Sequence, residues 1–253
     1  MDPYVVTTPA AWQESWDRQQ EAYLPDREQR IAAMLDAAAA VTGRRPPRLL
    51  DLAGGTGTIT LRALARFPDA EVTLVDQDPV LLAIAGASLV GRATIVTANL
   101  DTPEWASTLP HDHFDAVLTA TALHWLPPDR LTVLYGEVRD LLRPGGVFVN
   151  ADHMPDDGLP TLTKRMAADA DARRQARYAA GAVMPWRAWW DHVAANPTMA
   201  PLAERRKRIY PDGHAAEWTP PASWHLSALR DAGYSETGLI WRGGTDAAVA
   251  GVR

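Results

Sequence analysis

The stretch LLDLAGGTGTITLRALA, residues 49 to 65, decides the fold. It opens with an apolar run of strand length, passes through glycines at 54, 55 and 57, and continues as an apolar helix. Glycine at such a joint lets backbone approach a ligand, and a helix start offers N–H groups that have no intrahelical partner. A turn needed only for tight packing would use the same residues, so the joint by itself names no ligand. It does exclude two. A Walker A loop needs Gly-Lys-Ser/Thr after the glycines, and none follows. The dinucleotide spacing G-x-G-x-x-G is also broken, because Ile59 and Thr60 follow Gly57.

Outward from this joint the sequence alternates. Strands are expected over 48–53, 70–76, 92–98, 114–120 and 147–152, with helices over 56–67, 79–89 and 128–142, the last ending at RPGG. Short joints between such units point to a parallel sheet covered by helices on both faces. Upstream, residues 26 to 41 form a helix stopped by Gly43 and Pro46-Pro47, preceded by an irregular or partly helical arm. After Asp152 the rhythm breaks into helical segments near 160–180, 186–195 and 200–210. A helix over 223–233 and two strands over 234–242 and 246–253, close enough for an antiparallel hairpin, restore it. The expected organisation is an arm and helix over 1–44, a cofactor-binding core over 45–152, a helical aromatic-rich cap over 153–220, and a closing helix and hairpin over 221–253.

Asp76 closes the second strand 19 residues beyond Gly57, where a carboxylate can accept both ribose hydroxyls of an adenosine-bearing ligand. With LLDLAGGTG (49–57), VDQDP (75–79), ANLDTPEW (98–105), FDAVLTATALHWL (114–126) and LLRPGGVFV (141–149), the chain resembles the class I S-adenosylmethionine-dependent methyltransferases, in their small-molecule branch, over about 45 to 153. The resemblance implies a Rossmann-like seven-stranded sheet with its last strand antiparallel, here with the helical cap inserted after the fifth strand. It implies S-adenosyl-L-methionine as cofactor and S-adenosyl-L-homocysteine as product. It places Asp51, Ala53, Gly55, Thr56 and Gly57 near the methionine part, Asp76 at the ribose and Gln77 beside the adenine. Asn99 stands where the family usually has an aspartate to the adenine amino group, and Leu100 can offer its backbone N–H to the ring. An asparagine oxygen accepts the same bond without charge, a loss of about 1 kcal/mol. Ala53 replaces the family's first glycine and is tolerated if its φ stays negative.

A sulfonium methyl is already electrophilic, so the protein must orient a nucleophile behind it and, for some acceptors, remove a proton. The resemblance places Thr119 and Ala120 at the sulfonium, and His124 and Trp125 near cofactor or acceptor. His124 and His153 are the candidate bases, since imidazole titrates near neutrality; each could instead only shape the pocket or cap a turn. Trp12, Trp16 and Tyr23 of the arm, Trp186, Trp189 and Trp190 of the cap, and His214 and Trp218 beyond it are candidates for acceptor binding. Trp186, Trp189 and Trp190 share one helical side at i, i+3 and i+4. Such a stripe either docks the cap or walls a pocket for a flat acceptor. Asp17 reads as exposed surface, or as a free carboxylate that attracts a cationic cofactor.

Bulk composition narrows the partners. The formal charge is −6, so a polyanionic partner is not expected, and AERRKRI at 203–209 reads as a solvated helix face. Ten tryptophans stand beside three phenylalanines, and there are no cysteines, which fits a reducing, cytoplasmic setting. No secretory signal or membrane span is read. His111, Asp112, His113 and Asp115 form only a generic cluster, and no metal is expected. The expected partner is a small, aromatic or hydrophobic organic acceptor, methylated on oxygen, nitrogen or carbon, with the protein a monomer or homodimer. The alternatives are an RNA base methyltransferase, or a non-catalytic protein that binds the cofactor in a structural or regulatory role.

Overall fold

The structure is a computed structural model that describes residues 8–24, 26–43, 45–211, 213 and 217–253. Its strands are β1 (Arg48–Leu52), β2 (Glu71–Asp76), β3 (Thr94–Thr97), β4 (Phe114–Ala120), β5 (Leu142–His153), β6 (Glu236–Gly243) and β7 (Asp246–Val252). They form one sheet in the order β3-β2-β1-β4-β5-β7-β6. β1 to β5 pair in parallel, and β7 runs antiparallel to both β5 and β6. This is the mixed seven-stranded sheet that the sequence suggests. β5 begins five residues earlier than the expected 147, because Leu142 already pairs with Phe114 before a register shift.

The helices are α1 (Pro9–Gln20), α2 (Arg27–Thr42), α3 (Thr58–Arg66), α4 (Pro79–Leu89), α5 (Pro128–Leu141), α6 (Pro160–Ala179), α7 (Trp186–Ala195), α8 (Ala200–Ile209) and α9 (Ala222–Asp231). Alternation along the strands sends successive side chains to opposite faces. Leu49, Leu74, Leu118 and Val149 meet α2, α3 and α4 on one face. Leu50, Val117, Phe148 and Val249 meet α5 and α9 on the other. A third cluster, with Trp12, Val80, Ile84, Trp189 and Val193, fastens the arm and the cap to α4. Among the described residues no helix is long and apolar enough to cross a membrane.

The strand order reverses between β1 and β4, so the helices leaving these two strands cover opposite faces. In sheets of this kind a crevice opens there, at the carboxyl ends of the strands. α1 and the cap helices lie over that edge, which turns the crevice into a cavity.

Candidate functional site

The glycine turn is shaped from behind. Asp51 is buried, and its Oδ2 accepts from Thr60 N (3.0 Å) and Thr60 Oγ1 (2.6 Å), tying the end of β1 to the first turn of α3. Burial pushes its carboxyl up to about 7 despite the Thr60 bonds. A Cβ on Gly54 would lie 2.7 Å from Asp51 Cγ, which makes glycine necessary there. Asp51 therefore supports the turn from beneath and does not line the cavity, contrary to its expected place facing the ligand. Gly57 and Thr119 also lie behind the wall. The expected negative φ of Ala53 is not found: Ala53 sits at φ 54°, in the left-handed region, with Gly55 at φ 55°. Across the crevice Thr121, just past β4, is at φ 49°. Two non-glycine residues in this costly conformation flank the same opening.

Asp76 stands at the cavity wall. It accepts from Gly55 N (2.8 Å) through one oxygen, and from Gln77 N (2.7 Å) and Asp78 N (2.8 Å) through the other. The same carboxylate thus orders the turn and faces the space beside it. Burial, with repulsion from Asp78, pushes it up to about 6 against those hydrogen bonds. Asn99 and Leu100 line the cavity, but Asn99 Oδ1 already accepts from Asp101 N (3.0 Å). A bond from that oxygen to an adenine amino group would have to compete with this local turn.

The cavity holds about 710 Å³, enough for a nucleoside-sized ligand and a small second one. Of the residues expected near the cofactor, Ala53, Gly55, Thr56, Asp76, Gln77, Asn99, Leu100, Ala120 and Trp125 line it. His124, His153, Trp16, Tyr23, Trp186 and Trp190 complete the other side. Trp12 and Trp189 do not reach it. They meet edge-to-face at 5.9 Å within the docking seam, where Trp189 Nε1 donates to Ser15 Oγ at 3.0 Å. Trp218 packs on Trp224 and ties its N–H to the His124 carbonyl (2.9 Å). His214 lies outside the described residues. His225 is buried against Tyr135 Oη (2.6 Å), away from the cavity.

Several residues at the wall or just behind it could not be placed from the sequence. Asp17 is neither exposed nor free: it pairs with Arg27 (2.7 Å) and Arg62 (3.0 Å) and accepts from Thr58 Oγ1 (2.8 Å), latching the arm to the start of α3. Arg27 and Arg30 are buried on the face of α2 that carries Ile31 and Met34. Their i, i+3, i+4, i+7 pattern was a visible signal. The 203–209 run is mostly a solvated face, but Ala203 is buried in the docking seam, Ile209 lines the cavity, and Arg206 turns inward to Asp78 (2.5 Å) and lies 3.8 Å over the Trp190 ring. Of the generic cluster near the fourth strand, Asp115 is taken by Arg45, Arg143 and Arg48 N, and none of its members lines the cavity.

The site also holds a pair of imidazole–carboxylate units. His124 Nδ1 meets Asp152 Oδ1 at 2.7 Å, and Asp152 also accepts from the backbone N–H groups of His124 and His153. His153 Nδ1 meets Asp246 Oδ1 at 2.9 Å, and Arg30 clasps the other oxygen of Asp246. The two rings lie 5.3 Å apart. His124, Asp152 and His153 cluster closely, with ligand-type atoms within 4.8 Å of one another, and the Nδ1 atom of each ring is held by a carboxylate, giving two dyads. Burial opposes charge on Asp152 and Asp246, yet their partners hold both carboxyls below the usual range. Burial likewise opposes charge on His153, while Asp246 and Asp152 raise its basicity.

Residues 49–146 match the family described as "Methyltransferase domain". The ubiquinone/menaquinone biosynthesis C-methyltransferase UbiE of Methylobacterium nodulans is 39% identical over 125 residues, which is 47% of each chain. The trans-aconitate 2-methyltransferase of the same organism is 30% identical over 171 residues, 62% of each chain. The chain thus spans about half to three fifths of the length of these curated relatives. Among solved structures, an O-methyltransferase family protein from Burkholderia thailandensis superposes with TM-score 0.57 at 19% identity, covering 97% of this chain and 59% of that one. Human N-acetylserotonin methyltransferase in complex with SAM superposes with TM-score 0.56 at 14% identity, covering 96% and 58%. The strand order, the glycine turn and these matches agree: residues 49–146 are similar to a methyltransferase domain, and the seven-stranded sheet has the class I S-adenosylmethionine-dependent methyltransferase fold.

Proposed function

We propose that the protein transfers a methyl group from S-adenosyl-L-methionine to a small, aromatic or hydrophobic organic acceptor. The observation that carries this reading is one cavity whose two sides differ in chemistry. On one side are a glycine turn and a half-buried carboxylate; on the other are two histidines and a wall of tryptophans. The residues present fit the cofactor. Around Gly55 the turn is open, with only Leu81 Cδ1 (3.6 Å) near a notional Cβ, and Asp76 faces the space where ribose hydroxyls would donate. Gln77, Asn99 and Leu100 would flank the adenine, and Ala53 and Thr56 the methionine part. The bound cofactor supplies an electrophilic methyl group. The chain's own residues bind, orient and exclude water, through Trp16, Trp186 and Trp190 over the opening.

Calorimetric titration with S-adenosylhomocysteine, with NAD as control, tests the reading. The expected result is micromolar binding of the first, no heat from the second, and about hundredfold weakening in Asp76→Ala. Two charge-assisted hydrogen bonds at roughly 1.5 kcal/mol or more each account for that factor. Heat from NAD alone, or an Asp76→Ala variant that binds as well as the parent, would overturn it.

A further inference from the structure

We infer that the acceptor presents a neutral, weakly acidic hydroxyl, phenolic or enolic, and that His153 takes its proton, with Asp246 and Arg30 as the positioning residues. This rests on the methyl-transfer reading above and names the acceptor class for that site.

Two observations carry it. The first concerns the cations of the cavity wall. Arg27 is paired with Asp17, Arg30 with Asp246 and Arg206 with Asp78. Each arginine charge is thus met within the protein, and Asp152 is buried beneath the two histidines. Among the described residues of the wall, an acceptor arriving as a polycarboxylate would find each arginine already paired with a carboxylate, with only the buried Nε and Nη1 of Arg30 lacking a partner. A neutral, flat hydroxy compound needs no arginine, and Trp16, Trp186 and Trp190 offer it aromatic surface.

The second observation concerns the two dyads, which are not equivalent. His124 is nearly closed off, with a side chain 6% exposed, and it is anchored to Asp152 by both ring and backbone. His153 is 33% exposed and lines the cavity. An ionised carboxylate can only accept, so in the neutral ring the proton between His153 and Asp246 sits on Nδ1, and Nε2 carries the lone pair. Arg30, 1% exposed and stacked 4.9 Å from the Trp241 ring centroid, fixes the other oxygen of Asp246. The charged or titratable groups around His153 are Asp246 on β7, Asp152 on β5, Arg30 on α2 and His124 after β4. Their balance favours an imidazolium once the proton has arrived.

The step balances. The hydroxyl oxygen forms a C–O bond to the methyl carbon, and the C–S bond breaks with its electron pair passing to sulfur, giving the neutral thioether. The O–H proton moves to His153 Nε2 and leaves to water after product release.

The test uses the full chain saturated with S-adenosylhomocysteine and two chromogenic phenols, 4-nitrophenol and 4-methylumbelliferone. At one pH unit below each phenol's own pKa, about a tenth is ionised in water. The bound fraction is expected to be more than half ionised, read from the phenolate absorbance. His153→Asn, which keeps an amide near the Nδ1 position, is expected to bind the neutral phenol and lose that excess at least tenfold. In parallel, long-range proton–nitrogen spectra of the unaltered protein are expected to show the Nδ1–H tautomer of neutral His153, and Asp246→Asn to lose it. If neither phenol binds in ionised form, if His153→Asn retains the ionisation, or if the unaltered protein shows Nε2–H, the inference is overturned. Failure of S-adenosylhomocysteine itself to bind would instead sink the methyl-transfer reading.

Discussion

The two sides of the cavity are built in opposite ways. The side with the glycine turn is made from strand ends and their first turns: Ala53 to Thr56 after β1, Asp76 to Asp78 after β2, Asn99 and Leu100 after β3. Much of what it offers is backbone, and each piece lies beside a recognisable strand. The side with the histidines is assembled from side chains on α1, α2, the turn after β4, β5, α7 and α8, buttressed from β7. Its arrangement depends on long-range docking. The first side is suited to an invariant ligand, and the second can be re-chosen by changing a few side chains without disturbing the sheet.

If that contrast is right, the second side has the larger stake in its seam. Trp189 is fully buried between α1, α4 and α8. Trp189→Ala is expected to cost about 3 to 5 kcal/mol, the range for emptying a large aromatic site. Hydrogen exchange should show protection lost in α7 and α8 while β1, β4 and β5 keep theirs. Equal loss across the sheet would mean that cap and core form one cooperative unit, and the contrast would fail.

The carboxylate of the first side gives the next largest effect, this time on affinity. In the free protein Asp76 is raised to about 6, whereas ribose hydroxyls donate to its ionised form. Binding of S-adenosylhomocysteine at pH 6 should therefore release about half a proton, seen as a dependence of the measured heat on buffer ionisation. Affinity should fall about tenfold from pH 7 to pH 5. The sign for folding is the reverse. The folded chain holds this proton more readily than the unfolded one, so Asp76 adds stability to the free protein as pH falls through 6. A pH-independent affinity would place Asp76 outside the binding contacts.

Strain in the turn is a smaller term. Ala53 at φ 54° pays the left-handed penalty of roughly 1 to 2 kcal/mol, and glycine would remove it while giving back about half in chain entropy. Ala53→Gly should raise stability by roughly 0.5 to 1 kcal/mol, a melting shift of about 2 °C, with little change in cofactor affinity. A fall in affinity would show that the strained alanine helps to hold the turn in its binding shape.

What could be read from the sequence follows the same division. The sheet, its switch point and the turn were legible because strand ends, glycines and Asp76 are close in sequence and have few alternatives. The sign of φ at Ala53 was not, since a single residue type does not fix a backbone angle. The role of Asp51 was misplaced because an acid at a strand end looks the same whether it faces a ligand or props a turn. Asp17 looked like surface because Arg27, Arg62 and Thr58 come to it from other segments. Asp246 lies 93 residues from His153, and no local pattern joins them. The aromatic stripe at 186–190 was legible as a stripe, yet its split into one docking ring and two lining rings depends on where α1 lands.

The last test concerns α6, the part of the cap that lines neither side. α6 runs for 20 residues without a single buried one, and Leu162 and Met166 are 50% and 41% exposed. Its attachments are concentrated at its C-terminal end, where Arg174 and Tyr178 meet Tyr23, and Arg177 reaches the Glu21 carbonyl. On that account Leu162→Gln and Met166→Gln, alone or together, should change stability by no more than about 0.5 kcal/mol, because exposed positions carry little packing energy. Urea midpoints should hold with an unchanged slope, and melting should be independent of protein concentration. A loss above 1 kcal/mol that grows as protein is concentrated would mean that this row is covered in solution by a second copy of the chain. The cap would then owe part of its order to assembly, and the histidine side of the cavity would be tied to the oligomer as the glycine side is not.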